Sequence, residues 1–198
     1  MKLECEDKLY PKDSEVLEIL HYPEPVLKQV AVDVEEKEFG AELQNICQNM
    51  LLTMYNEPGI GLAGPQVGIS KRIFVMDVDY SRDTIDEDAE HYKIHSLNPR
   101  IFINPVIKNK EGEIVYEEGC LSLPGVFDEV TRSESLTVEY RDPYGDQHTL
   151  NADGLLSICI QHENDHLDGI VFIEHLSNLK FNLYRKKLIK SKKLSKQE

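Results

Sequence analysis

Long apolar runs are missing from this chain. None approaches the roughly 20 residues that span a bilayer, so no membrane association is expected. The first residues, Met1-Lys2-Leu3-Glu4-Cys5-Glu6-Asp7, are acidic and lack an apolar stretch, so they do not read as a signal or transit peptide. Cysteine is sparse: Cys5, Cys47, Cys120 and Cys159 form no CxxC pair and no disulfide-like spacing. A stapled secreted scaffold is therefore not expected, and each thiol is core, ligand or nucleophile according to its neighbours. No internal repeat and no low-complexity segment occurs. The expected setting is cytoplasmic.

Positive charge is scarce outside one stretch. The net charge is −14, from 22 basic and 36 acidic residues. Eight of the basic residues fall in the last nineteen positions, which leaves −21 for residues 1–179. Such an acidic body excludes a protein that coats nucleic acid with its whole surface, while the basic end can still meet an anionic partner. With 198 residues, 40% hydrophobic and 29% charged, the chain suits one domain with a real core. The expectation is a single catalytic domain over 1–198, with an N-terminal extension at 1–15, an acidic excursion loop at 79–98 and a basic tail at 185–198.

From Phe39 to Met54 the apolar residues recur at helical spacing, with Cys47 on the apolar stripe. A glycine-rich turn follows at 59–68. Strands are expected at 72–78, 101–107 and 114–116, and a hairpin at 136–150 around Asp142-Pro143-Tyr144-Gly145-Asp146. The period then changes. Leu155 to Leu167 reads as a helix that Asp153 can cap and Gly169 can end. A last helix is expected from about Leu176 to Lys190, with Leu176, Leu179, Leu183 and Leu188 facing inward. Helices segregated among short strands indicate an α+β fold.

The chemistry starts at Gln161-His162-Glu163-Asn164-Asp165-His166. Residues four apart lie one turn apart on the same helical face, so His162 and His166 can aim two imidazoles at one ion. Glu163 sits beside them, within reach of a water on that ion. This HExxH pattern is a signature of metalloproteases. Flanking Ile158, Cys159, Ile160 and Leu167 argue for burial rather than for two surface histidines. More ligands are needed. Downstream, Asp168, Glu174 and His175 lack the usual protease spacing. Upstream, Cys120 follows a glycine in the polar run Glu117-Glu118-Gly119-Cys120-Leu121-Ser122, where a divalent ion would stabilise a thiolate, although taken alone Cys120 reads better as a core or idle thiol.

Three segments, Gly59-Ile60-Gly61-Leu62-Ala63-Gly64-Pro65-Gln66, Glu118-Gly119-Cys120-Leu121-Ser122 and the His162/His166 run, resemble in order and spacing the three motifs of peptide deformylases. The resemblance spans roughly residues 16–190. It implies removal of the formyl group from the N-terminal formylmethionine of new polypeptides, and small antiparallel sheets around a central metal-binding helix, with a C-terminal helix. It implies that Cys120, His162 and His166 hold the metal, with water as fourth ligand. Glu163 then serves as general base and acid, while Gln66 and the Leu121 backbone N–H stabilise the oxyanion. Gly59, Ile60, Gly61, Gly119, Tyr116, Leu155 and Cys159 are the implied substrate-binding residues. Glu118 resembles the family's buried acid, paired with Arg132, and the pair is read as structural. The resemblance favours Fe²⁺, with Zn²⁺, Ni²⁺ or Co²⁺ compatible with the ligand set. It also implies N-formylmethionyl peptides as partners and docking on the ribosome through the basic C-terminal helix.

This chain departs from the family at Gly64, where Ala is commoner, at Phe127, where many members carry Arg, and at the bulky Tyr116. Its segment 79–98 is longer than in compact members. Rival readings are an HExxH peptidase and a non-catalytic metal-binding protein.

Overall fold

The computed structural model describes residues 2–4, 14–84 and 91–195. Most of the N-terminal extension, the centre of the acidic segment and the end of the basic tail lie outside these described residues.

A short strand β1 (Lys2–Glu4) precedes helix α1 (Ala41–Asn56). The α1 stripe of Leu43, Cys47, Met50, Leu51 and Met54 is buried, as its spacing requires. Strands β2 (Gly61–Ala63) and β3 (Ile73–Met76) follow. Next come β4 (Ser81–Thr84), β5 (His91–His95) and the long β6 (Arg100–Glu111). Then β7 (Ile114–Gly119) and β8 (Phe127–Arg132) form a two-stranded ribbon, and β9 (Ser135–Arg141) and β10 (Gln147–Asp153) form the expected hairpin. Helix α2 (Gly154–Leu167) and helix α3 (Asn178–Ser195) complete the chain.

The central sheet runs β10-β9-β6-β3-β2 and is antiparallel throughout. Strand β3, Ile-Phe-Val-Met, is buried on both faces. Strand side chains alternate, so Ile73 and Val75 join the α1 cluster on one face. Phe74 and Met76 join Phe102, Val138, Cys159, Ile160 and Leu167 on the α2 face. Thus α2 is the inner helix, packed against the sheet, and β2 is an edge strand between the two helices. A third cluster gathers Leu123, Val126, Val130, Phe172 and Leu188, with Cys120 and Phe181 packed on it.

The structure corrects three readings. Segment 79–98 is not a plain loop: its described parts form the β4–β5 hairpin, and β1 pairs with β5 in parallel. Its strands are mostly polar, so their alternation does not stand out, yet Ile94 is buried in the α1 cluster. Helix α3 starts at Asn178, after Leu176, which packs on the third cluster; within it Leu188 is buried, but Leu179 and Leu183 are 82% and 62% exposed. The inward seam is Phe181, Tyr184 and Leu188, whose spacing of three and four selects the opposite stripe. Finally, Asp153 occupies the α2 N-cap position, but its side chain makes no capping hydrogen bond. Gly169, at φ +70°, ends α2 as expected.

Candidate active site

Helix α2 places His162 and His166 one turn apart, with ring centroids 5.1 Å from each other. Cys120 sits in the turn after β7, which the Leu123 N–H closes onto the Cys120 carbonyl. Its Sγ lies 3.3 Å from His166 Nε2. One ligand atom from each of Cys120, His162 and His166 falls within 4.8 Å of the other two. Among the described residues no other set of histidine, cysteine or acid meets this condition.

The His162 ring is oriented by a carboxylate. Its Nδ1 lies 2.8 Å from Glu118 Oε2. Glu118 also accepts from Arg132 Nε at 2.7 Å and from Nη2 at 3.0 Å, and both residues are buried. Burial pushes the Glu118 carboxyl upward. The bonds from Arg132 and His162 outweigh that and hold it down at about 2. An ionised Glu118 accepts the His162 Nδ1–H, which leaves the Nε2 lone pair for a metal. Arg132 is held in turn by Asp165, at 2.6 Å, which also contacts His175 at 2.7 Å. Burial pushes His166 down to about 3, so its imidazole is neutral and able to ligate. One thiolate and two imidazoles suit a tetrahedral ion with one position open to water or substrate. The donor set fits a catalytic metal.

Glu163 is 4% exposed, and its Oε2 has no hydrogen-bond partner within the protein. Burial raises its carboxyl to about 7. Its Oε1 lies against the Cα of Gly61, where a Cβ would approach to 2.3 Å. The glycine at 61 is therefore what gives this carboxylate its place. Gln66, in a short 3₁₀ turn, is fixed by the residue before that turn: the Ala63 N–H donates to Oε1 at 2.7 Å. Gln66 Nε2 then points at Cys120 Sγ, 3.5 Å away, and at Ser122 Oγ, 3.3 Å away.

These groups open onto one cavity of about 620 Å³. Gly59, Ile60, Gly61, Gln66, Tyr116, Gly119, Cys120, Leu121, Leu155, Cys159, His162 and Glu163 all line it, and Phe127 stands at its rim, 62% exposed. His166 lies just behind, within ligand reach. Cys159 packs with its Sγ 3.6 Å from the Ile60 carbonyl, and burial raises its thiol. The three motifs and their neighbours bring these residues together from β2, the 3₁₀ turn, β7, β8 and α2. Sequence reasoning missed His21, Pro124 and Gly125, which also line the cavity and carry no motif, and it missed Ser122 as a partner of Gln66. It also took the Glu118–Arg132 pair as purely structural, whereas Glu118 contacts His162 directly.

Comparison with known proteins agrees with this geometry. The family model described as Polypeptide deformylase matches residues 16–182. A peptide deformylase of Chromobacterium violaceum is 48% identical over 178 residues, which covers 90% of this chain and 97% of that protein. The crystal structure of a Legionella pneumophila peptide deformylase superposes with a TM-score of 0.77 at 37% identity, covering 92% of this chain and 99% of that one. A Met-Ala-Ser-bound peptide deformylase of Acinetobacter baumannii gives 0.71 at 31% identity, covering 82% and 99%. No described helix is long and apolar enough to cross a membrane. With the family model matched over most of its length and relatives this similar, the chain belongs to the polypeptide deformylase family.

Proposed function

We propose that the cavity described above is where this peptide deformylase hydrolyses the formamide of an N-formylmethionyl peptide, giving formate and a free amino terminus. Cys120, His162 and His166 would hold one divalent ion. Such an ion, when bound, supplies Lewis acidity and lowers the pKa of water toward neutrality. Glu163 accepts the proton that water loses as it attacks the formyl carbon, and it later delivers a proton to the departing amine. A carboxyl raised by burial to about 7 suits both duties. Gln66 Nε2, held beside Cys120, and the Leu121 N–H donate to the oxygen on which negative charge develops. The peptide runs as an extra strand along Gly59, Ile60 and Gly61 with Gly119 opposite. Ile60, Leu155 and Cys159 receive the methionine side chain, and Tyr116 bounds the pocket.

The observation that carries this reading is the Glu163 carboxylate, buried against Gly61 beside the three convergent ligands. A purely structural metal site needs no such base. The HExxH peptidase reading loses ground because Cys120, not a downstream residue, completes the cluster. The test is formate release from formyl-Met-Ala-Ser. Metal-loaded wild type turns over, and Glu163→Ala retains metal but not turnover. Absence of formate with loaded wild type defeats the reading.

Three finer points belong to the same proposal. Fe²⁺ is the native ion, and Zn²⁺ a poorer occupant. Activity should therefore fall in air as ion and thiolate oxidise; equal anaerobic and aerated activity with zinc found by elemental analysis excludes this. The enzyme works in the cytoplasm. The basic end of α3 docks on ribosomal RNA, and ribosome co-sedimentation unchanged after deletion of residues 185–198 rules that out.

A further inference from the structure

The acidic segment 79–98 has no part in the chemistry above, yet one of its side chains reaches the cavity wall. Tyr80 stands at the base of the β4–β5 hairpin, and its hydroxyl donates to the Gly59 carbonyl at 2.9 Å. Its ring meets that of Tyr55 edge-on, with centroids 5.0 Å apart. Tyr55 is fully buried on α1 and donates to Asp77 Oδ2 at 2.5 Å. The buried Asp77 carboxylate also accepts the backbone N–H of Asp79 at 3.0 Å and of Asn98 at 2.8 Å. Both ends of the segment are thus tied to one buried acid, and the tyrosine between them is held by packing.

The wall it reaches is otherwise held chiefly by backbone bonds: the Gly59 N–H donates to the Met54 carbonyl at 3.1 Å, and Gly61 pairs with Met76 of β3. Gly59 has no side chain to pack, and a Cβ there would lie 2.9 Å from Leu121 Cδ1 and 3.2 Å from the Glu57 carbonyl. Glycine retains backbone freedom unless its peptide groups are bonded. Here the Asp77 N–H holds the Ile60 carbonyl at 2.9 Å, and Tyr80 holds the Gly59 carbonyl.

We infer that Tyr80 is a positioning residue for peptide binding: its hydroxyl sets the Gly59–Ile60–Gly61 backbone, and the 79–98 segment serves the site by presenting it. The inference rests on the reading above in taking that backbone as the strand the peptide joins. Tyr80 bonds neither the three candidate ligands nor Glu163, so it acts on the alignment of the bound peptide. A wall already fixed in its binding conformation spares the complex the cost of ordering it.

The experiment compares wild type with Tyr80→Phe on formyl-Met-Ala-Ser and on formyl-methionine, which lacks the residues that would run along the wall. Loss of one neutral hydrogen bond should raise KM for the tripeptide about fivefold. It should leave kcat within about twofold and formyl-methionine kinetics unchanged. An unchanged tripeptide KM overturns the inference. So does an equal loss on both substrates together with a lower melting midpoint, which marks general loosening. If loaded wild type releases formate from neither substrate, the deformylase reading fails separately. Amide exchange at Ile60 and Gly61 then decides: acceleration in Tyr80→Phe upholds the positioning role, and unchanged exchange overturns it.

Discussion

Substituting Gly61 by Ala should separate the stability of this protein from its chemistry. The new methyl carbon would lie 2.3 Å from Glu163 Oε1, 2.8 Å from Cδ and 2.9 Å from Cγ. Non-bonded carbon and oxygen need more than 3 Å, so the carboxylate must retreat by about 1 Å. The obstructing atoms are the far end of a flexible side chain, and Gly61 needs no left-handed conformation, so the fold is barely affected. The reaction is not so tolerant. A displacement of about 1 Å at a reacting group costs on the order of 100-fold in rate, or roughly 2.7 kcal/mol of transition-state stabilisation. The assay is kcat/KM for formate release, with metal content and melting midpoint measured on the same samples. The expected result is a drop of about 100-fold with both controls at wild-type values. Activity within about threefold of wild type would refute the argument, because the carboxylate could then not be the base whose place Gly61 makes.

Other outcomes follow from the same structure. Glu118→Gln removes the charge that orients His162 and leaves Arg132 buried with a weakened partner; metal affinity in dialysis against chelator should fall about 10- to 100-fold, and stability in urea by about 3 kcal/mol. Burial pushes the Cys47 thiol up to about 12 and raises Cys159 as well, so metal-stripped native protein should react with a thiol reagent at Cys120 ahead of either, as read by peptide mass mapping. The same Cys47 shift has a signed effect on stability. Its folded pKa exceeds the unfolded value, so its contribution is intact below about pH 9 and is lost as pH rises toward 12, at about 1.4 kcal/mol per unit. Cys47→Ala should flatten the alkaline decline in melting midpoint, and an unaltered slope would contradict this. Lys187→Met removes the bond to the Gly125 carbonyl at the cavity rim, 2.8 Å long; it should raise tripeptide KM about twofold to fivefold and leave kcat unchanged.

Much of this was legible in the sequence, for identifiable reasons. Helix α1 announces itself because it buries one stripe, which repeats a period, and α2 because a largely apolar run of helical length, buried all round from Ser157 to Glu163, lies between Asp153 and Gly169. Gly169 marks its helix end by its conformation. The His162/His166 pair is readable because four residues make one turn. Cys120 and Gln66 carry no such signal: they reach the site through tertiary folding, and only family resemblance pointed to them. The segment 79–98 hid its strands because a largely polar hairpin has no apolar alternation to read. Helix α3 misled because leucines at 179 and 183 match a helical stripe as well as Phe181 and Tyr184 do. Periodicity gives the width of a stripe, and the neighbouring loop, here Leu123 to Val126, decides which one is buried.

Cys120 packs on the third hydrophobic cluster, while the histidines ride on the helix of the second. An ion shared among them would then be a further cross-link between two cores already joined by His162 with Glu118 and by Arg132 with Asp165. Binding and folding become linked by mass action. Stripping the metal should loosen first the lobe made of the Cys120 turn, the β7–β8 ribbon and α3, and leave the sheet under α1 intact. The same lobe carries Phe127, Gly125 and Gly119, so the outer wall of the cavity gains its rigidity from the ion that the inner wall supplies with ligands.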